Sequence, residues 1–122
     1  MRFLLFLVLF VVMGLPAGLA HAETRFFSQL NDIPLMPGLY EVPEDGLEFD
    51  KPEGRIVEAK AVAETKKVNE IRGFYEGVLP QLGWVRASEN RYTRGRESLI
   101  LDLEEHKGLS ILSLHLGPAG TR

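Results

Sequence analysis

Four arginines fall within eleven positions: Arg86, Arg91, Arg94 and Arg96, with Glu89 as the one acid among them. Guanidinium groups pair bidentately with carboxylates and phosphates. The cluster therefore reads as a candidate partner-binding patch for an anionic protein or envelope component. Two other readings compete with it. Basic residues on a sheet edge discourage strand-to-strand aggregation, which is the simpler explanation. The acidic stretch Glu41, Glu44, Asp45, Glu48, Asp50, Glu53 and Glu58, relieved only by Lys51 and Arg55, could also lie against the arginines and neutralise them. Strand alternation places Arg94 and Arg96 on one face and Arg91 on the other, unless a bulge at Gly95 changes the parity.

The residues of other chemistries are sparse. There is no cysteine, so disulfides, thiol nucleophiles and cysteine-based zinc sites are excluded. His106 falls in a turn pattern and His115 in a strand pattern. Neither has the ligand spacing of a metal site, because consecutive Glu104, Glu105 and His106 splay to opposite faces of a strand. The HExxH, GxSxG and P-loop motifs are all missing. Ser28, Ser88, Ser98, Ser110 and Ser113 lack a context that marks a nucleophile. Asp102 and Glu104 share a strand face, which suits a solvated surface better than a glycosidase pair. No catalytic residue, cofactor or metal is assigned.

The N-terminus fixes the expected compartment. Arg2 is followed by an uncharged apolar run, Phe3 to Met13, then Gly14, Pro16 and the small residues of Ala20-His21-Ala22. A charged n-region, an apolar h-region and a small-x-small cleavage site define a secretory signal. The run is shorter than the roughly 20 apolar residues a spanning helix needs. Residues 1–22 are therefore read as a signal peptide cut after Ala22, with retention as an uncleaved membrane anchor as the alternative, and the protein as exported and periplasmic with no stable membrane insertion after cleavage. Without a cysteine it is not a lipoprotein. Cleavage takes 22 of 122 residues and leaves 100, the size of one domain. It also removes one cation, Arg2, and no acid, so the net charge goes from −3 to −4. That balance makes no case for nucleic-acid binding.

The elements that position these residues follow from periodicity. Residues 23–46 carry Pro34, Pro37, Pro43, Gly38 and Gly46, so they form an extended lead-in rather than a long helix. Their apolar content, with Phe26, Phe27, Ile33, Leu35, Met36, Leu39 and Tyr40, lays them against the domain. Leu47–Asp50 and Arg55–Ala63 read as strands joined by a Lys51-Pro52-Glu53-Gly54 turn. In the second, Val57, Ala59, Ala61 and Ala63 alternate with Ile56, Glu58, Lys60 and Val62. Thr65 is a candidate N-cap for a helix whose stripe is Val68, Ile71, Tyr75, Val78, Leu79 and Leu82, ended by Pro80 and Gly83. Short strands Trp84–Ser88 and Arg91–Arg94 come next. Glu97–Glu105 and Leu109–Leu116 form the clearest hairpin.

This is a β-β-α-β-β-β-β order with short connections after the helix, which favours a meander. The expected fold is a two-layer α+β domain over 47–117, one antiparallel sheet with one helix on one face, then a tail at 118–122. Val57, Ala59, Ile71, Tyr75, Val78, Leu79, Leu99, Leu101, Leu103, Leu112 and Leu114 should make the core.

The segment Phe74-Tyr75 to Leu79-Pro80-Gln81-Leu82-Gly83-Trp84 resembles a pattern in small exported bacterial domains, in which a helix ending in Leu-Gly-Trp leads into a β-meander. The upstream Ile33-Pro34-Leu35-Met36-Pro37-Gly38 is similar to the proline-rich lead-in of that group. The resemblance implies a fold and a compartment and carries no assigned chemistry. Phe74, Tyr75 and Trp84 read as core and boundary aromatics.

Two functions of different classes fit these residues. One is a non-catalytic periplasmic interaction module. The other is a small periplasmic hydrolase or lyase using acidic residues and His106 or His115. A concave site with converging polar groups would mark the enzyme, and exposed apolar or charged patches the module. Sequencing the N-terminus of protein taken from the envelope tests the export reading. Glu23 is the expected first residue, and an intact Met1 or Arg2 would refute cleavage.

Overall fold

A computed structural model of the chain describes residues 24–120. The segment 1–22, read as a signal peptide, lies outside the described residues.

One helix, α1 (Val68–Val78), packs on a mostly antiparallel sheet, so the domain is α+β. Three two-residue strands occupy the lead-in: β1 (Arg25–Phe26), β2 (Pro34–Leu35) and β3 (Tyr40–Glu41). The longer strands are β4 (Leu47–Lys51), β5 (Gly54–Ala63), β6 (Val85–Ser88), β7 (Arg91–Arg94), β8 (Glu97–His106) and β9 (Leu109–Pro118). The main sheet runs β3-β5-β9-β8-β7-β6, with β4 also paired to β5 beside β3. β1 and β2 form a separate two-stranded ribbon, which the one-sheet expectation did not contain.

The hairpins follow turn chemistry. At the β8–β9 turn, Lys107 and Gly108 both take positive φ (51° and 81°) between the paired His106 and Leu109, the requirement of a type I′ loop. At the β7–β8 turn, Gly95 (φ 59°) supplies the left-handed position. Because β6, β7, β8 and β9 are joined by such tight turns, they form a meander that returns to β5. The helix carries the chain from β5 to the far edge at β6.

Helix α1 begins later than the Thr65 cap would place it. Lys67 is the N-cap, in an extended conformation, and no side chain caps the first turn. Pro80 has no N–H to continue the helix, and a single 3₁₀ turn, Pro80–Leu82, takes over. Gly83 then adopts the left-handed conformation (φ 91°), the usual helix stop. This turn delivers Trp84, which is buried, against the core.

The core starts upstream of Leu47. Phe27, Leu30, Ile33, Leu35, Met36 and Leu39 are all buried in the same cluster as Val57, Ile71, Leu79, Leu99 and Leu114. The lead-in is thus part of the fold's interior, and a boundary at 47 would cut through the core. Of the core residues expected from sequence, Val78 and Leu103 are only partly buried and pack against the cluster from outside. The last strand continues through Gly117 and Pro118, two residues past the Leu116 end that its alternation gives.

Tyr75 joins the layers. Its ring is fully buried, and its hydroxyl donates to the Pro34 carbonyl (2.8 Å) while accepting from the Met36 N–H (3.1 Å). Both backbone groups belong to the lead-in, which has few ladder bonds of its own.

Two predictions follow from this packing. Leu101 is 4% exposed, and Leu101→Ala should cost roughly 2–5 kcal/mol in denaturant melts. Burial pushes the Tyr75 phenol well above its ordinary value. The unfolded chain releases that proton from about pH 10 upward while the folded one keeps it, so stability is full below pH 10 and falls as the pH rises. Tyr75 alone contributes a slope of up to about 1.4 kcal/mol per pH unit. Tyr75→Phe should remove that part of the slope, while costing about 1–3 kcal/mol at neutral pH through the two unpaired backbone groups.

Candidate functional site

The helix and lead-in cover one face of the sheet only. Side chains on β5, β9 and β8 alternate, and cross-strand partners share a face. Val57, Leu116 and Leu99 align on the covered side, as do Ala59, Leu114 and Leu101. Leu47, Glu58, His115, Ile100 and Arg91 align on the other side. That second face has no layer over it among the described residues.

Its composition is mixed. Phe49 pairs with Ile56, Tyr40 with Val62, and Val62 with Ile111. Val85 joins the same face through its partner Thr93 and the Thr93, Ser98, Gly117 row. Four of the five exposed large apolar side chains among the described residues therefore lie here: Tyr40, Leu47, Phe49 and Val85. Between the apolar groups sit a Glu58–His115 pair at 3.4 Å and Lys60, whose ammonium is 3.5 Å from Asp45. Gly117 has no side chain to fill its row, and an added Cβ would meet Ile56 at 3.5 Å. The gap leaves a shallow depression of about 200 Å³ walled by Ile56, Ile100, Arg91 and His115.

The four arginines do not form one patch. Arg94 lies on the covered side, its guanidinium 4.3 Å from the centre of the Trp84 ring. It donates to Asp32 (2.7 Å) and to the Leu82 carbonyl (3.2 Å), so it fastens the lead-in to the end of the helix. Arg86 donates to the carbonyls of Ser88 and Glu89 along its own edge strand and stands 3.6 Å from Glu76 of α1. Arg96 lies exposed in the β7–β8 turn, not in a strand, so it shares no strand face with Arg94. The one register shift in this hairpin falls between Arg86 and Ser88, not at Gly95. Arg91 faces the uncovered side and makes no ion pair among the described residues. The acids of 41–58 do not reach any of the four: Glu41 binds Ser28, Asp45 meets Lys60 and Glu58 meets His115.

Ser113 is two residues from His115 on the uncovered face, and Glu58 lies beside that histidine, the residue types of a hydrolytic triad. Ser113 and His115 share no hydrogen bond, although a base must reach its nucleophile. Backbone amides in this part of the sheet are engaged in the β5–β9 and β9–β8 ladders, so none is aimed outward to stabilise an oxyanion. Among the described residues no group of three or more His, Asp or Glu is placed to hold a metal ion, and no helix is long and apolar enough to cross a membrane.

No protein-family model, curated protein or solved structure matches this chain.

The exposed apolar row was not singled out from sequence. Its signal was present in β4, where Leu47 and Phe49 alternate with Glu48 and Asp50. Which side of the sheet the helix would cover was not encoded there.

The placement of the arginines separates two of them by experiment. Arg94→Ala should lower stability by about 1–3 kcal/mol, since it removes a charged hydrogen-bonded pair and a cation–π contact. Arg91→Ala should change stability by less than about 0.5 kcal/mol. Urea melts of the two variants check both values.

Proposed function

We propose that this protein is a non-catalytic, exported interaction module that holds a protein partner on the uncovered face of its sheet. Export rests on the charged, apolar and small-residue pattern of residues 1–22. The observation that carries the docking reading is the gathering of Tyr40, Leu47, Phe49 and Val85 on one uncovered face. Exposed apolar groups concentrated on one surface favour association.

The face also suggests the chemistry of its partner. Arg91 makes no ion pair among the described residues and stands at the rim of the Gly117 depression, so a partner carboxylate placed there gains a guanidinium partner. Small apolar side chains of the same segment fill the space over Gly117, between Ile56 and Ile100. The partner is thus a protein segment that combines apolar side chains with an acid. Of the four arginines, Arg91 and Arg96 remain available to it, while Arg86 and Arg94 serve the fold.

A photo-crosslinking amino acid at Ser113, in the middle of the uncovered face, tests the site. Its control sits at Gly73, on the exposed outer side of the helix. Crosslinks in the native envelope should form from position 113 and not from 73. Phe49→Asp and Arg91→Glu should each abolish the adduct while leaving the melting curve unchanged. Equal crosslinking from both positions, or an adduct unaffected by both substitutions in folded protein, would refute the reading.

A further inference from the structure

The largest cavity among those described, about 510 Å³, lies on the covered side of the sheet, at the start of α1. Its walls are the β5–α1 connection, the first turn of the helix and the β8–β9 hairpin, including Ser110 and Glu105. Its chemistry differs from that of the uncovered face.

Three features converge on it. No side chain caps α1, and the amides of Val68, Asn69 and Glu70 find no acceptor among the described residues. Such amides, at the positive end of the helix dipole, attract an oxyanion. Lys66 and Lys67 line the same space. The Lys66 stem passes over Gly38, within 3.0 Å of where a Cβ would stand, and glycine's lack of a side chain leaves it that room. Independently, Ser110 is 5% exposed, lines the cavity and makes no side-chain hydrogen bond among the described residues. The Ser110 hydroxyl is open to the cavity it lines, so a ligand oxyanion placed there can accept its hydrogen bond.

The lining is not purely cationic. Glu64 and Glu105 balance the two lysines. A bare anion would meet both attraction and repulsion, whereas a ligand with an oxyanion at one end and an amino group at the other satisfies both sets.

We propose that this cavity binds a small zwitterion. Its phosphate or carboxylate group accepts from the helix-start amides, Ser110 and the lysines, and its ammonium group meets Glu64 and Glu105. The site is separate from the partner-docking face and does not depend on it.

Amide-resolved NMR titrations of the mature protein test this. The probes are O-phosphoethanolamine, glycine and inorganic phosphate at constant ionic strength. The expected result is saturable shifts at Val68, Asn69 and Ser110 with at least one of the two zwitterions, which also identifies its oxyanion. That zwitterion should bind more tightly than inorganic phosphate. Ser110→Ala should weaken it about tenfold, the loss of one hydrogen bond to a charged group. Lys66→Gln with Lys67→Gln should weaken it further, and Glu105→Gln should erase its advantage over phosphate. Shifts that fail to saturate with both zwitterions would overturn the proposal. So would a Ser110→Ala variant, folded by its amide spectrum, that binds as the native protein does, or phosphate binding as tightly as the zwitterions.

Discussion

The fold depends on how a proline-rich strip is kept against a helix and a sheet. Residues 25–45 have little regular pairing of their own, so apolar burial must hold them, with a few hydrogen bonds to fix the register. The Tyr75 hydroxyl supplies two of these, to Pro34 and Met36, inside the core. In a buried, low-dielectric interior such bonds are worth more than at the surface, and their loss leaves unpaired groups behind. Arg94 performs a second fastening at the rim, where Asp32, the Leu82 carbonyl and the Trp84 ring meet one guanidinium. With no cysteine in the chain, these contacts stand where small domains often place disulfides.

Once the strip and helix occupy one face, the other face carries the remaining design problem. A two-sided sheet with one covering layer exposes its outer residues to solvent or to a partner. Here that outer face has polar groups at its centre, Glu58 beside His115 and Lys60 near Asp45, and large apolar groups toward its edges. The charges keep the sheet from reading as a second core face. The apolar margins flank the depression over Gly117. The β6 edge is handled differently: Arg86 turns back onto the carbonyls of Ser88 and Glu89, which blunts a strand edge that would otherwise pair with other chains.

Much of the architecture was legible in the sequence because its signals are local. The alternation from Val57 to Ala63 and from Leu99 to Leu103 set the strand faces. The 3–4 spacing from Val68 to Val78 set the helix, and Pro80 with Gly83 set its end. Lys107-Gly108 set the tight hairpin. The misplaced details have equally physical causes. Thr65 is a good capping residue, yet Lys67 takes the cap position, because a cap preference of about 1 kcal/mol is smaller than the packing that fixes where the chain leaves β5. The continuation of β9 through Pro118 reflects pairing with Glu97 on the neighbouring strand, which no local propensity reports.

From Leu47 onward the sequence by itself determined the element types, their order, the α+β class and the two sides of each strand. These depend on period and turn chemistry, which neighbouring residues define. Tertiary structure alone decided the fates of the arginines and the sites. Arg91 and Arg94 are three residues apart, yet one faces the uncovered sheet and the other clasps a carboxylate sixty-two positions upstream. Ser110 and Ser113 share a strand, yet only Ser110 is buried beside the start of the helix. The reason is that a strand's alternation names two faces without saying which will be covered. That choice is made when a distant layer, here the helix and the proline-rich strip, gains more by burying one face than the other.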